Sequence, residues 1–156
     1  MKVRTLALAA AVLALIGAPA LAQTCEGTNA PGTAPLNVVV TSLKSGAGEV
    51  AVTVYPDDSR KFLTAKGRIF RVRPATTLPT TNACFWVKPG FYGIAIYHDA
   101  NKDHDFNRNA VGLPAEGFGF SNDAPTRIGL PSFASVRFNV PASGRTLRIA
   151  MRYQEK

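Results

Sequence analysis

At 156 residues the chain has the length of a single domain. Its formal charge is +8, of which Lys2 and Arg4 carry two, so +6 remains on the rest. The other basic residues are scattered, form no run and match no nucleic-acid motif, and nothing beyond the first residues approaches the length of a membrane span; this sets aside nucleic acid as a partner and any permanent membrane span.

The chain opens as an export signal. Lys2 and Arg4 give a positive start, residues 6–16 are an unbroken apolar run, and Ala20-Leu21-Ala22 supplies the small-x-small pattern of a cleavage site. The run is too short for a permanent anchor. Residues 1–22 are therefore expected to be removed after Ala22, leaving a periplasmic or secreted protein. A lipid anchor on Cys25 is disfavoured, because Thr24 stands where a small Gly or Ala is wanted. Cys25 and Cys84 are the only cysteines, and an oxidising compartment favours one disulfide between them, tying the mature amino terminus to a central strand.

Residues 23–35, rich in Gly, Pro, Thr and Asn, read as an irregular leader to a domain over 36–156. From there apolar residues recur with a period of two. Leu36, Val38 and Val40 form one alternating set and Val50, Val52 and Val54 the next; the turn-forming Ser45-Gly46-Ala47-Gly48 between them predicts a hairpin. A third strand is predicted over residues 68–73, with Arg68, Arg71 and Arg73 on its wet face, and a fourth over 84–88. Pro89-Gly90 turns the chain into residues 91–97, apolar on both faces and therefore central. Two more strands follow, carried by Val136, Phe138 and Val140 and by Leu147, Ile149, Met151 and Tyr153. The expectation is an all-β single domain of about seven strands folded as a two-layer β-sandwich, since each sheet has an apolar face to hide. Phe85, Trp86, Phe91, Tyr92 and Phe138 are expected to pack in its core.

One stretch breaks the pattern. Asp99, Asn101, Asp103, Asp105 and Asn107 place an oxygen-bearing side chain at every second position, as in the front half of an EF-hand-type loop. The back half departs from it: His104 stands where the sharp turn wants Gly, and Ala110 where a bidentate Glu would close the site. Two readings stay open. The five residues bind Ca²⁺ weakly, or their oxygens cap nearby backbone N–H groups as metal-free Asx-turns. His98 and His104 with neighbouring carboxylates are a weak zinc signal. Ser121 and Ser132 lie in no nucleophile elbow, and no glycosidase carboxylate pair is identifiable, so no catalytic residue is assigned.

The run from Lys88 to Asn101 (KPGFYGIAIYHDAN), that from Gly112 to Asn122 (GLPAEGFGFSN) and Pro131-Ser132-Phe133 together resemble domain of unknown function family 2141, a group of exported bacterial proteins. The early Leu36–Val50 pattern fits as well. The resemblance implies export and a sandwich of the immunoglobulin or transthyretin-like kind, with His98, Asp99, Asn101, Asn109, Glu116, Ser121 and Asn122 as signature positions. It implies no activity. Family members often carry Gly at the position of His104 and Asp at that of Asn107, departures that weaken the cation reading here. Glu116 is expected to clamp the loop, by accepting backbone N–H groups or by pairing with His98. The functional expectation is an exported, non-enzymatic binding or accessory domain. Its partner would be an envelope protein or a small ligand, and its only candidate cofactor is Ca²⁺. The alternative is an envelope metal-dependent hydrolase using His98 and neighbouring carboxylates.

Overall fold

A computed structural model describes residues 24–126 and 129–154, and the predicted signal over residues 1–22 lies outside them. The period-two patterning becomes eight strands: β1 (Ala34–Thr41), β2 (Glu49–Pro56), β3 (Phe70–Val72), β4 (Thr81–Val87), β5 (Gly90–Asp99), β6 (Gly117–Phe120), β7 (Phe138–Val140) and β8 (Arg145–Ala150). A one-turn helix, α1 (Phe133–Val136), and a 3₁₀ turn (Ser121–Asp123) are the helical elements among the described residues. The strands form two sheets, one ordered β4-β1-β8 and the other β3-β2-β5-β6, with β7 also pairing β5. The fold is all-β and sandwich-like.

Strand burial follows the residue pattern. β1 alternates buried and half-buried positions, hiding Leu36, Val38 and Val40 between the layers. β2 and β5, in the interior of the larger sheet, are covered on both faces. Val50, Val52, Val54, Ile94 and Ile96 enter the main core between the sheets. On the opposite face Ala95, Tyr97, Phe118 and Phe120 belong to a second apolar cluster, which Phe62, Leu63, Phe106 and Phe133 cover from the loops. The central placement expected for residues 91–97 is borne out.

Three expectations are corrected. β1 and β2 do not form a hairpin: β4 takes one edge of β1 antiparallel, β8 takes the other parallel, and β2 pairs β3 and β5 in the opposite sheet. Alternation reports which faces are buried, not which strands pair, and the connector between β1 and β2 carries the chain from one layer to the other. The Cys25–Cys84 disulfide is formed, but on β4, which is an edge strand. There Glu26 N–H donates to the Cys84 carbonyl at 2.9 Å and the Glu26 carbonyl accepts from Trp86 N–H at 2.8 Å, so the leader covers an edge that would otherwise be open. Finally, Phe85 and Phe138 are core residues, whereas Phe91 is 39% exposed with the Arg137 guanidinium 3.5 Å above its ring.

Candidate functional site

The site grows from the end of the β2–β5 ladder. The antiparallel register sets Glu49 directly opposite Asp99, and two like charges so placed repel. Arg73, just beyond β3, resolves the conflict: its Nη1 donates to Glu49 Oε1 at 2.9 Å and to Asp99 Oδ2 at 3.1 Å. Its Nη2 donates to the Tyr97 hydroxyl and, at 3.0 Å, to the His104 carbonyl. Arg73 is thus not on a wet face as its alternation suggested. The outer face of this sheet is roofed by loops, and the guanidinium is the cation around which the roof is fastened.

Asp99 is completely buried. Its Oδ2 accepts from Arg73 and from His104 N–H at 2.9 Å, but its Oδ1 has no hydrogen-bond partner. A buried carboxylate oxygen without a partner is costly and calls for an explanation. Around it the loop turns through left-handed backbone at Lys102 (φ 60°) and His104 (φ 67°), the conformation glycine adopts most readily. Asp103 organises the turn. Its Oδ2 accepts from the side-chain amides of Asn101 and Asn107, both at 2.7 Å, and its Oδ1 from Asp105 N–H at 2.9 Å. These contacts, led by the Asp105 N–H bond, hold the Asp103 carboxyl below its ordinary pKa.

Glu116 reaches back from the segment before β6, and its Oε2 accepts Asn107 N–H at 3.1 Å. Burial raises its pKa, and the neighbouring Asp99 and Asp103 charges add to the rise. One carboxylate oxygen from each of Asp99, Asp103 and Glu116 lies within 4.8 Å of the others. Asn107 Oδ1, in the same loop, is a second buried oxygen without a partner. A second set, Glu49, Asp99 and His104, is equally close, but Arg73 already bridges its two carboxylates.

The expected alternate-position ligands therefore divide. Asp99, Asp103 and Asn107 come together with Glu116. Asn101 is spent on Asp103, both through its amide and by accepting Asp103 N–H at 3.3 Å; Asp105 is exposed and contributes its backbone N–H. Asx-type capping is evident further along, where Asn109 Oδ1 accepts from Val111 N–H at 3.1 Å and Leu113 N–H at 3.0 Å.

Residues 38–148 match the family described as "Uncharacterized protein conserved in bacteria (DUF2141)". The chain belongs to DUF2141. No curated protein and no solved structure matches it.

At the remaining positions through which the chain resembles DUF2141, hydrogen bonds within the fold engage the side chains. His98 does not pair with Glu116. Its Nε2 lies 2.7 Å from the Ala47 carbonyl, which can only accept, so Nε2 donates there, and Nδ1 shares a hydrogen bond at 2.7 Å with the Tyr153 hydroxyl. The same hydroxyl accepts Lys44 N–H at 3.2 Å. Both ring nitrogens are thereby engaged, and neither is free to bind a metal or accept a substrate proton. Ser121 is buried; its Oγ accepts Ile94 N–H at 3.0 Å and donates to the Val136 carbonyl, tying β5 to α1. Asn122, at φ 60°, donates to the Ser135 and Arg137 carbonyls at 3.1 and 3.0 Å.

From sequence, Arg73, Tyr97 and Tyr153 are placed only as strand residues, Glu49 is passed over, and none of the four is given a part in the site. The available signal was charge at strand ends: Glu49 immediately precedes the β2 valines, and Arg73 continues the face begun by Arg71.

Beside the acidic cluster, on the same outer sheet face, lies a cavity of about 550 Å³. Tyr97 joins the two. Its hydroxyl donates to the His104 carbonyl at 3.1 Å within the loop, while its ring packs edge-on against Phe106 and lines the cavity.

Proposed function

We propose that the chain is an exported, non-enzymatic binding domain whose Asp99–Asn109 loop is ordered by one Ca²⁺ ion, held by Asp99, Asp103, Glu116 and the side-chain oxygen of Asn107. The observation that carries this reading is the pair of buried, partnerless oxygens, Asp99 Oδ1 and Asn107 Oδ1, in a loop where three carboxylates crowd together. Hard oxygen donors of this kind suit Ca²⁺, and water and backbone oxygens complete its six to eight ligands. A divalent ion also offsets the repulsion from Asp99 and Asp103 that adds to the effect of burial in raising the Glu116 pKa. Affinity is modest, because hydrogen bonds already occupy part of the Asp103 carboxylate. Export is supported by the amino-terminal pattern and by the Cys25–Cys84 disulfide, and among the described residues no helix is long and apolar enough to cross a membrane.

Calorimetric titration of chelator-treated protein with CaCl₂, MgCl₂ and ZnCl₂ tests the assignment. One-site Ca²⁺ binding that is lost in Asp99→Asn is expected. Absence of Ca²⁺ binding at millimolar concentration, or tight Zn²⁺ retention in its place, refutes it.

A further inference from the structure

We propose that the cavity on the outer face of the larger sheet binds a small amphipathic monoanion: an apolar acyl or aryl body with a carboxylate head. This names a ligand class for the binding domain proposed above, and it does not depend on the ion.

The cavity's size falls within the range of small-molecule sites, roughly 300–1,000 Å³. Its floor is sheet, contributed by Thr53, Tyr55, Ala95 and Tyr97, with Phe118 and Phe120 beside them. Leu113 and Leu130, also among its lining residues, are 48% and 62% exposed. Large apolar side chains left in water around an apolar recess gain by covering an apolar guest.

Charge decides the head group. Among the described residues the lining contains Arg71 and Arg108 and no acidic side chain. Arg71 Nε donates to Thr53 Oγ1 at 2.8 Å; Arg108 Nη1 donates to the Gly112 carbonyl at 2.9 Å, and its guanidinium lies 5.4 Å from the Phe106 ring centroid. Neither has a carboxylate partner among the described residues. Arg60, Arg73 and Arg137 are paired with an Asp or Glu, and Arg68, Arg145, Arg148 and Arg152 have no such partner among the described residues; what sets Arg71 and Arg108 apart is that both line one apolar recess. Two guanidinium groups without a counter-ion at one apolar recess are complementary to an anion, which a planar guanidinium can hold through two parallel N–H donors.

The test is calorimetric titration with octanoate and, as the uncharged control, 1-octanol, both in EDTA so that failure of the calcium reading cannot mask the result. Octanoate is expected to bind at one site at least about tenfold more tightly than octanol, the factor expected of a charge-assisted hydrogen bond. Arg71→Gln and Arg108→Gln are expected to reduce that preference. Ala95→Phe, which fills the cavity floor, is expected to abolish binding while a thermal melt reports a folded protein. No octanoate binding, equal binding of octanol, or full binding by folded Ala95→Phe protein overturns the proposal.

Discussion

Replacing Glu116 with Gln separates the ion-binding reading from a purely structural loop, because only the first makes the effect of the substitution depend on calcium. Glutamine keeps an oxygen to accept Asn107 N–H and exchanges the charged carboxylate for a neutral amide. Without metal, that charge lies within 4.8 Å of the Asp99 carboxylate. Coulomb's law at that distance gives about 3.5 kcal/mol of repulsion for an effective dielectric near 20 and about 0.9 kcal/mol near 80. Glu116 is only half-buried, so solvent screening brings the expected relief down to about 1–2 kcal/mol. In EDTA at pH 7 the variant should therefore be more stable than the parent by that amount, read from urea unfolding followed by tryptophan fluorescence. Calcium offsets most or all of that advantage, by about 1.3 kcal/mol. At a hundred times its dissociation constant it stabilises the parent by about 2.7 kcal/mol, whereas a variant binding tenfold more weakly gains about 1.4 kcal/mol at the same concentration. The pH dependence has a definite sign. The folded-state pKa of Glu116 is raised from its ordinary value of 4.5, so between these two values the folded chain holds a proton that the unfolded chain releases. Stability from this group rises as pH falls through that window, and the gap between variant and parent in EDTA closes as pH approaches 4.5. A variant less stable than the parent in EDTA, or equal calcium stabilisation of both, refutes the reasoning.

Removing the disulfide through Cys25→Ser with Cys84→Ser opens a link spanning 59 residues and should cost about 4 kcal/mol by the chain-entropy relation, measured by urea unfolding with and without reductant. Ser121→Ala strands the buried Ile94 N–H and Val136 carbonyl and should cost about 1–3 kcal/mol without altering calcium affinity; lost calcium binding in folded protein would contradict its structural assignment. Gly48→Ala should lower the melting temperature sharply, because the backbone there has φ +70° and the new methyl group would collide with the Asp99 carbonyl. A melting temperature within a degree of the parent would show that this close approach is absent.

The strands were legible because each sheet buries at least one face, and that writes a period of two into Leu36–Val40, Val50–Val54 and Leu147–Tyr153. Partners were not legible, since the same alternation in β1 and β2 is satisfied whether they pair or lie in opposing layers. The acidic loop divides in the same way. Asp99 and Asp103 stood out by type and spacing, but the rule that paired them with Asn101 and Asp105 assumed an EF-hand wrap. The loop instead folds across itself, turning at Lys102 and His104, and recruits Glu116 from beyond Ala110. Arg73 was the hardest residue to place. Its role arises only from the β2–β5 register, which puts Glu49 against Asp99 and so demands a cation 24 and 26 residues away from them.

The loop's two flanks link the acidic cluster to the cavity. Asn107 gives its backbone N–H to Glu116 and its side-chain amide to Asp103, while its neighbours Phe106 and Arg108 turn to line the cavity. An ion that fixes Asn107 therefore also fixes one wall of the recess, and the effect must be reciprocal: whatever calcium does to the affinity of a cavity ligand, that ligand does by the same factor to calcium. Tyr97 would carry such coupling, because its hydroxyl is bound to the Arg73 and His104 side of the loop while its ring meets Phe106. Removing only that hydroxyl would uncouple the two sites while leaving the oxygens of one and the apolar lining of the other in place.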